Sequence, residues 1–359
     1  MDYSSVEDFS QDIPSIFEQF DRSGKSVLCL CSVREALHEH IVDAMIGELA
    51  SRNLLSDQVR FIFNHTVDLS LLDNRSCVSR IDNIDYFLCY SLYKTILSGV
   101  PVNEKWNKHS VKTLFLMGKA DKHHRLPVLY HLTQKPEILK NLIYSFDPCT
   151  AYDDEHTKEI LSDTVQIFHQ HFPNVDYHDF SLKNACYLDI SDPSEIASTG
   201  YPFHQGHTGF PFPHDLYADS LCSIVSESAH GEPETPTSPT WRPIINRHPF
   251  VLLDNTGNMH RYLRSLGIRT FEEFYVHSPE DIATADNPIQ YAKMFAENAE
   301  HFARAISSNV NTVQNMIDNN YQVAIGLYKQ YLSDLFNNNH QEFMKFVKYT
   351  CYPDWPRTS

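Results

Sequence analysis

LFLMGKADKHHRLPVLYHL, Leu114 to Leu132, joins three kinds of sequence in one stretch. The strong strand signal VKTLFLMG runs from Val111 to Gly118. KADKHHR then reads as a loop, and a helical pattern begins at Leu126, with Pro127 near a first turn that tolerates proline. Strand, loop and helix in that order predict an α/β layer, and in open α/β sheets ligands sit beyond the carboxyl ends of the strands. A helix N-terminus offers unpaired N–H groups and the positive end of a dipole, which suits phosphate. Five of the seven residues in KADKHHR are Lys, His or Arg, so Lys119, Lys122, His124 and Arg125 are candidate anion-binding residues. The plainer reading of the same residues is a solvated basic turn.

Upstream, SVLCLCS (Ser26 to Ser32) reads as a strand. A helix follows, with Val33, Leu37, Ile41, Met45 and Leu49 spaced four apart. VRFIFNH (Val59 to His65) reads as a second strand, and a helical stretch from Tyr86 to Leu97 stops at Gly99. The alternation predicts a parallel sheet. A polar seam lies near Pro101 to His109. Downstream, Leu126 to Phe146 is read as mostly helical and Asp153 to Phe172 as a helix. Asp189 to Asp215, rich in Pro, Gly, His and Phe, reads as loop. SLCSIVSES (Ser220 to Ser228) is a strand, and AHGEPETPTSP is a loop. WRPIINRHPFVLLD holds a short helix and a buried strand, and GNMHRYLRSLGI is a helix stopped by Gly267. From Pro279 to about Tyr349 the pattern is nearly all helix, and no internal repeat is found.

The 359 residues suffice for about two domains. With 29 Lys and Arg against 46 Asp and Glu, the net charge of −17 argues against a general polyanion binder. No apolar run reaches the roughly 20 residues of a membrane helix. The opening MDYSSVEDFSQDI has no apolar leader segment. The expectation is a cytoplasmic protein with no membrane partner. Eight scattered cysteines read as free thiols. Cys29 and Cys31 point to opposite faces of a strand, which is no metal clamp.

A second candidate site is SIVSES with SPTWRPIINRHPFVLL. Glu227, just past a strand end, can accept from the vicinal hydroxyls of a ribose. Trp241 offers a flat face and Arg242 a fixed fork for phosphate oxygens. Asn246 joins this donor-binding set. The structural alternative is that Trp241 packs in the core and Arg242 caps a helix. Histidines invite a metal reading, with His204, His207 and His214 near one another. No Cys-x-x-Cys or helical His-Glu-x-x-His accompanies them, so no metal site is expected. A metal-dependent hydrolase on that loop is the corresponding rival.

LYADSLCSIVSES, followed by TWRPIINRHPFVLLDNTGNMHRYLRSLGIRTFEEFY, resembles the C-terminal part of a family of glycosyltransferases encoded by tailed bacteriophages and other large DNA viruses. There a strand ending in a Ser-Glu-Thr-like turn precedes a loop. A Thr-Glu-Lys-Thr-Trp-Lys/Arg-Pro motif, a Pro-Phe-apolar strand and a Leu-Gly-Phe-x-Thr-Phe segment come next. KADKHHRLPVLYHL resembles the family's earlier His-Arg element. The similarity covers roughly Val111 to Tyr349. The family is similar to fucosyltransferase-like and exostosin-like enzymes of the GT-B fold.

The resemblance implies an α/β, GT-B-like architecture, with two Rossmann-like domains facing across a cleft and a helical C-terminal tail. The expected division is 1–108 for the acceptor side, 109–320 for nucleotide-sugar binding and 321–359 for a helix packing back. It implies transfer of a sugar from a nucleotide-sugar to an acceptor such as a modified viral DNA base, a glycan or a protein. No metal or cofactor beyond that co-substrate is implied. Glu227 would lie at the ribose, Arg125 and Arg242 near the pyrophosphate. Inverting chemistry needs a base from the first domain, and Glu35 or His38 can face the cleft; both equally suit an exposed helix face. Where the family has Glu-Lys before Thr-Trp, this chain has Ser238 and Pro239. That departure supports the alternative of a catalytically inactive viral structural or interaction protein that keeps the fold.

Overall fold

The structure is a computed structural model. It describes residues 6–23, 28–32, 39–64, 72–78, 81–85, 88–89, 91–92, 105–119, 124–147, 155–174, 186–189, 214–227, 236–285 and 287–343. The chain divides into two compact units. One takes Met1–Tyr93, Glu232–Thr235 and Gly326–Ser359, the other Lys94–Gly231 and Pro236–Ile325.

In the first unit, helix α1 (Val6–Ser23) precedes strand β1 (Leu28–Ser32), helix α2 (Glu39–Ser51), strand β2 (Val59–Asn64) and strand β3 (Ile81–Ile84). The strands are parallel in the order β1-β2-β3, with Leu28 opposite Val59 and Phe61 opposite Ile81. Val42, Met45, Ile46 and Leu49 follow the i, i+3, i+4, i+7 spacing of one helix face. They are buried with Ile13, Val59, Phe61 and Leu72. Ser10 ties α1 to α2 by donating to Glu48 at 2.8 Å. Gly47 is needed for a close approach: a Cβ there would lie 3.1 Å from Asn74 Nδ2, whose amide is bound to Asp43.

The second unit carries β4 (Thr113–Lys119), α3 (Arg125–Thr133), the single turn α4 (Pro136–Leu139), β5 (Leu142–Asp147), α5 (Glu155–His171) and β6 (Cys186–Asp189). Then follow α6 (His214–Asp219), β7 (Cys222–Ser226), α7 (Ser238–Ile245), β8 (Phe250–Leu253), α8 (Asn258–Ser265), α9 (Pro279–Ala283) and α10 (Pro288–Ser308). Helix α11 (Val310–Phe336) begins in this unit. The five strands are all parallel, in the order β6-β5-β4-β7-β8. Every residue of β7 and β8 is buried, as expected of strands covered on both faces. Leu114, Ile143, Leu216 and Tyr217 form one core cluster. Elsewhere in the unit, edge-to-face contacts link Phe250, Phe271 and Phe302 across β8 and α10.

The expected α/β class with parallel strands is what the structure has. Several elements differ from expectation. The stretch read as helix through Phe146 ends its helical part at Leu139, and β5 follows. Its six residues are too short for periodicity to separate strand from helix; pairing with β4 and β6 decides. Strand β3, IDNI, escapes propensity because Asp and Asn are poor strand formers. Strand β6 and helix α6 lie mostly where the sequence suggests no element, at the two ends of the stretch read as loop, Asp189 to Asp215. The Gly267 stop is as read. Its φ of +86° lets Ile268 N–H reach Leu263 O and Gly267 N–H reach Arg264 O, the Schellman pattern. Among the described residues no helix is long and apolar enough to cross a membrane.

Candidate functional site

From β4 the chain steps outward through β5 and β6, then returns to the other side of β4 for β7 and β8. The order therefore reverses between β4 and β7. In open parallel sheets, ligands sit beyond the carboxyl ends of the two strands between which the order reverses. Four polar residues meet there: His124 and Arg125 after β4, Ser226 and Glu227 at the end of β7. Their exposures are 6%, 4%, 1% and 3%.

Arg125 is the first residue of α3. Its Nε donates to Ser226 Oγ at 3.1 Å, and Nη2 donates to the carbonyls of Ser226 (3.4 Å) and Glu227 (3.1 Å). His124 Nε2 lies 3.0 Å from the same Ser226 hydroxyl. A guanidinium and the positive end of a nine-residue helix are thus gathered at one strand end.

Glu227 differs from the expected open ribose acceptor. Oε1 receives the backbone N–H of Thr237 (3.0 Å) and of Thr240 (3.2 Å). The hydroxyls of Thr237 and Thr240 also donate to the carboxylate. The reason lies in α7. Its cap residue Thr237 makes no side-chain cap of its own, and Pro239 brings no N–H, so a carboxylate from β7 serves the helix start.

Trp241 and Arg242 lie on α7, and Asn246 is at its end. Trp241 is wholly buried, which leaves no ring face for a base, and its indole N–H has no hydrogen-bond partner among the described residues. Arg242 lines a recess with Pro239, Tyr217, Leu114 and Leu116 that has room for about one water molecule. Asn246 caps the far end of α7, its Nδ2 donating to Arg242 O at 2.8 Å. Lys119 ends β4, with only its backbone described; Lys122, Glu35, His38, His204 and His207 lie outside the described residues. His214 begins α6, its side chain likewise outside. Among the described residues no group of three or more His, Cys, Asp or Glu could hold a metal ion. Cys77 and Cys222 are free thiols, and burial pushes the Cys222 thiol up to about 12.

Two features were not read from the sequence. Ser226 is one, although a Ser preceding Glu227 at a strand end was visible. The other is the pair Asp254 and His260 at the carboxyl end of β8. Register places Leu253 opposite Ser226, so Asp254 comes level with Glu227. Asp254 accepts from the N–H groups of Thr256, Gly257 and His260 and from His260 Nδ1 at 2.8 Å. Burial would raise its carboxyl, but the hydrogen bond and charge of His260 outweigh burial and hold it well below the usual range.

At the amino ends of β7 and β8, His248 is buried between Ser220 and Ser223. Its Nε2 donates to Ser220 O at 3.0 Å, and its Nδ1 accepts from Ser223 Oγ at 2.8 Å. Burial lowers its pKa to about 4, against the pull of the Ser220 carbonyl. The folded value is below the unfolded one of about 6.5, so the stabilisation is complete above about 6.5. It is lost progressively as pH falls from about 6.5 to about 4. Urea titrations should show the wild-type chain losing roughly 2 kcal/mol between pH 6.5 and 4.5 that His248→Gln does not lose. Parallel pH curves for the two proteins would refute this.

No family model and no curated protein matches the chain. Among solved structures it is similar to a UDP-forming α,α-trehalose-phosphate synthase from Burkholderia xenovorans. The identity is 10% over 91% of this chain and 78% of that one, with a TM-score of 0.44. A UDP-forming α,α-trehalose-phosphate synthase from Burkholderia vietnamiensis shows 9% identity over 88% and 75%, TM-score 0.40. A trehalose-6-phosphate synthase analysed with bisubstrate glycomimetics shows 8% identity over 95% and 78%, TM-score 0.40. Likeness at this level assigns neither fold nor activity.

Proposed function

We propose that the chain is a glycosyltransferase of GT-B type, and that its second unit takes a nucleoside-diphosphate sugar at the carboxyl edge between β4 and β7. The observation that supports this is the reversal of strand order at the point where His124 and Arg125 meet Ser226. A diphosphate suits that place: one cation held by three bonds, at a helix N-terminus, inside a chain of net charge −17.

In the reaction, the bond from the anomeric carbon to the diphosphate oxygen breaks, and its electron pair leaves with the diphosphate. An acceptor nucleophile forms the new bond and gives up its proton. The Arg125 guanidinium is already fixed, so its charge needs no reorganisation as the leaving group gains negative charge. Glu227 holds the start of α7 rather than touching the donor.

A saturating nucleotide raises stability by about 2.7 kcal/mol at a hundred times its Kd, so the melting temperature should rise by roughly 5 °C with UDP, GDP or one of their sugar conjugates. The second reading, a fold kept without catalysis, is favoured by the Glu227 carboxylate being filled from within the chain. No shift with any nucleotide-sugar would decide for it.

A further inference from the structure

We propose that Asp254 and His260 form a binding site at the carboxyl end of β8: His260 Nε2 accepts a hydrogen bond from a hydroxyl of the nucleotide-sugar, and Asp254 is the positioning residue. That the ligand is a nucleotide-sugar rests on the function proposed above; the state of the imidazole does not.

Asp254 directly follows β8, level with Glu227. Neighbouring strands lie about 4.8 Å apart. The pair therefore stands one strand over from the place where Arg125 bonds to the end of β7. A diphosphate held there carries a ribose on one side and a sugar on the other, and both present hydroxyls to the ends of the strands. The Asp254 carboxylate is buried and takes the N–H groups of Thr256 (3.1 Å), Gly257 (2.9 Å) and His260 (3.0 Å). Those three bonds already serve the start of α8. His260 Nδ1 adds a fourth contact at 2.8 Å. An ionised carboxylate only accepts, so Nδ1 carries the hydrogen, and in the neutral ring Nε2 is a bare acceptor. That atom is buried and has no hydrogen-bond partner among the described residues. The ring of Tyr275 packs edge-on to the imidazole at 6.1 Å, but its hydroxyl is committed elsewhere: it donates to Thr270 O and accepts from Leu252 N–H, each at 3.2 Å. Met259 and Leu263, the other buried residues of α8, are apolar. An apolar residue at position 260 would leave the cap intact and avoid an unpaired acceptor, which burial makes costly. The imidazole is therefore more than capping requires. A carboxylate behind an imidazole whose far nitrogen is bare is a receiver for hydroxyl hydrogens. Nε2 is covered by the chain, so a ligand reaches it by displacing the side chains over it.

His260→Phe keeps a ring in the same space and leaves the three backbone bonds to Asp254 in place. It should fold, and should bind the ligand that engages Nε2 about fivefold more weakly, the worth of one neutral hydrogen bond. In Asp254→Asn the amide oxygen stays with the Thr256 and Gly257 N–H groups and the NH2 turns to Nδ1, which moves the imidazole hydrogen to Nε2 and should weaken binding likewise. A helix cap alone predicts lost stability in Asp254→Asn and unchanged affinity in both variants.

The test joins two measurements on the full chain at about pH 8, above the usual histidine range. Nitrogen–proton correlation spectra of the imidazoles report the state of His260, identified by the signal missing in His260→Phe or His260→Gln. Calorimetry with UDP and UDP-glucose reports affinity. The expected result is a wild-type His260 with its hydrogen on Nδ1 and a bare Nε2 whose nitrogen resonance moves on binding. Movement with both ligands puts a ribose hydroxyl there; movement with UDP-glucose alone puts a hydroxyl of the transferred sugar there. A hydrogen on Nε2 in the wild-type chain overturns the proposal without any variant having to fold. So does calorimetric binding that leaves the Nε2 resonance unmoved, and in that case the function proposed above survives. If neither ligand binds, that function fails and the hydroxyl site falls with it.

Discussion

Arg125→Met should lower UDP affinity by more than about a hundredfold, the loss of roughly 3 kcal/mol. Methionine fills much of the same space, so the change removes charge and hydrogen bonds more than packing. Two consequences follow from the contacts. The carbonyls of Ser226 and Glu227 and the Ser226 hydroxyl lose a donor they now share, in a place closed to water. That alone should cost roughly 2 kcal/mol of stability. Separately, the diphosphate loses a preorganised cation, and a lost donor of this kind weakens transition states by about a hundredfold or more. Arg125→Lys should not rescue either effect, because an ammonium on a flexible stem cannot span three acceptors along one strand end. Binding is to be measured by calorimetry at a temperature where circular dichroism shows both variants folded. If Arg125→Met binds UDP as the wild-type chain does, the donor is not held at the ends of β4 and β7.

Why these residues could be anticipated and others not is a matter of distance along the chain. KADKHHR is basic within an acidic sequence and follows a strong strand, so His124 and Arg125 stand out locally. Strands β7 and β8 are short apolar runs buried on both faces, and their composition alone exposes them. Strand β5 is equally apolar, but it follows a helix closely and borrows the helix's periodicity; its neighbours β4 and β6 make it a strand. Sheet order is not written in any local pattern. The reversal between β4 and β7, which brings Arg125 to Ser226 across 101 positions, appears only in three dimensions. Glu227 was visible as a carboxylate at a strand end. Its partners Thr237 and Thr240 lie ten and thirteen positions on, beyond a proline-rich loop, and only folding shows that they fill it. Trp241 reads equally as a stacking surface and as core. Helix α7 turns it inward, where it is fully covered.

Glu227→Ala should destabilise the chain by about 3 to 5 kcal/mol, the largest stability effect expected of any single substitution in this region. Alanine removes one carboxylate but orphans four donors, the N–H groups and hydroxyls of Thr237 and Thr240. The loss falls on the start of α7, which has no other side-chain cap. Glu227→Gln should cost roughly half as much: its amide oxygen still accepts, while its NH2 turns a donor toward groups that were donating. Hydrogen exchange should show the Thr237 and Thr240 amides losing protection first. The emission of Trp241 should shift toward that of a solvated indole as α7 loosens, because this ring is now wholly buried. A reading of Glu227 as a ribose ligand alone predicts the opposite division, with weakened UDP binding at unchanged melting temperature. Measuring both quantities on both variants separates the two. Should Glu227→Ala melt with the wild-type chain, the clasp contributes nothing, and the carboxylate belongs to the ligand after all.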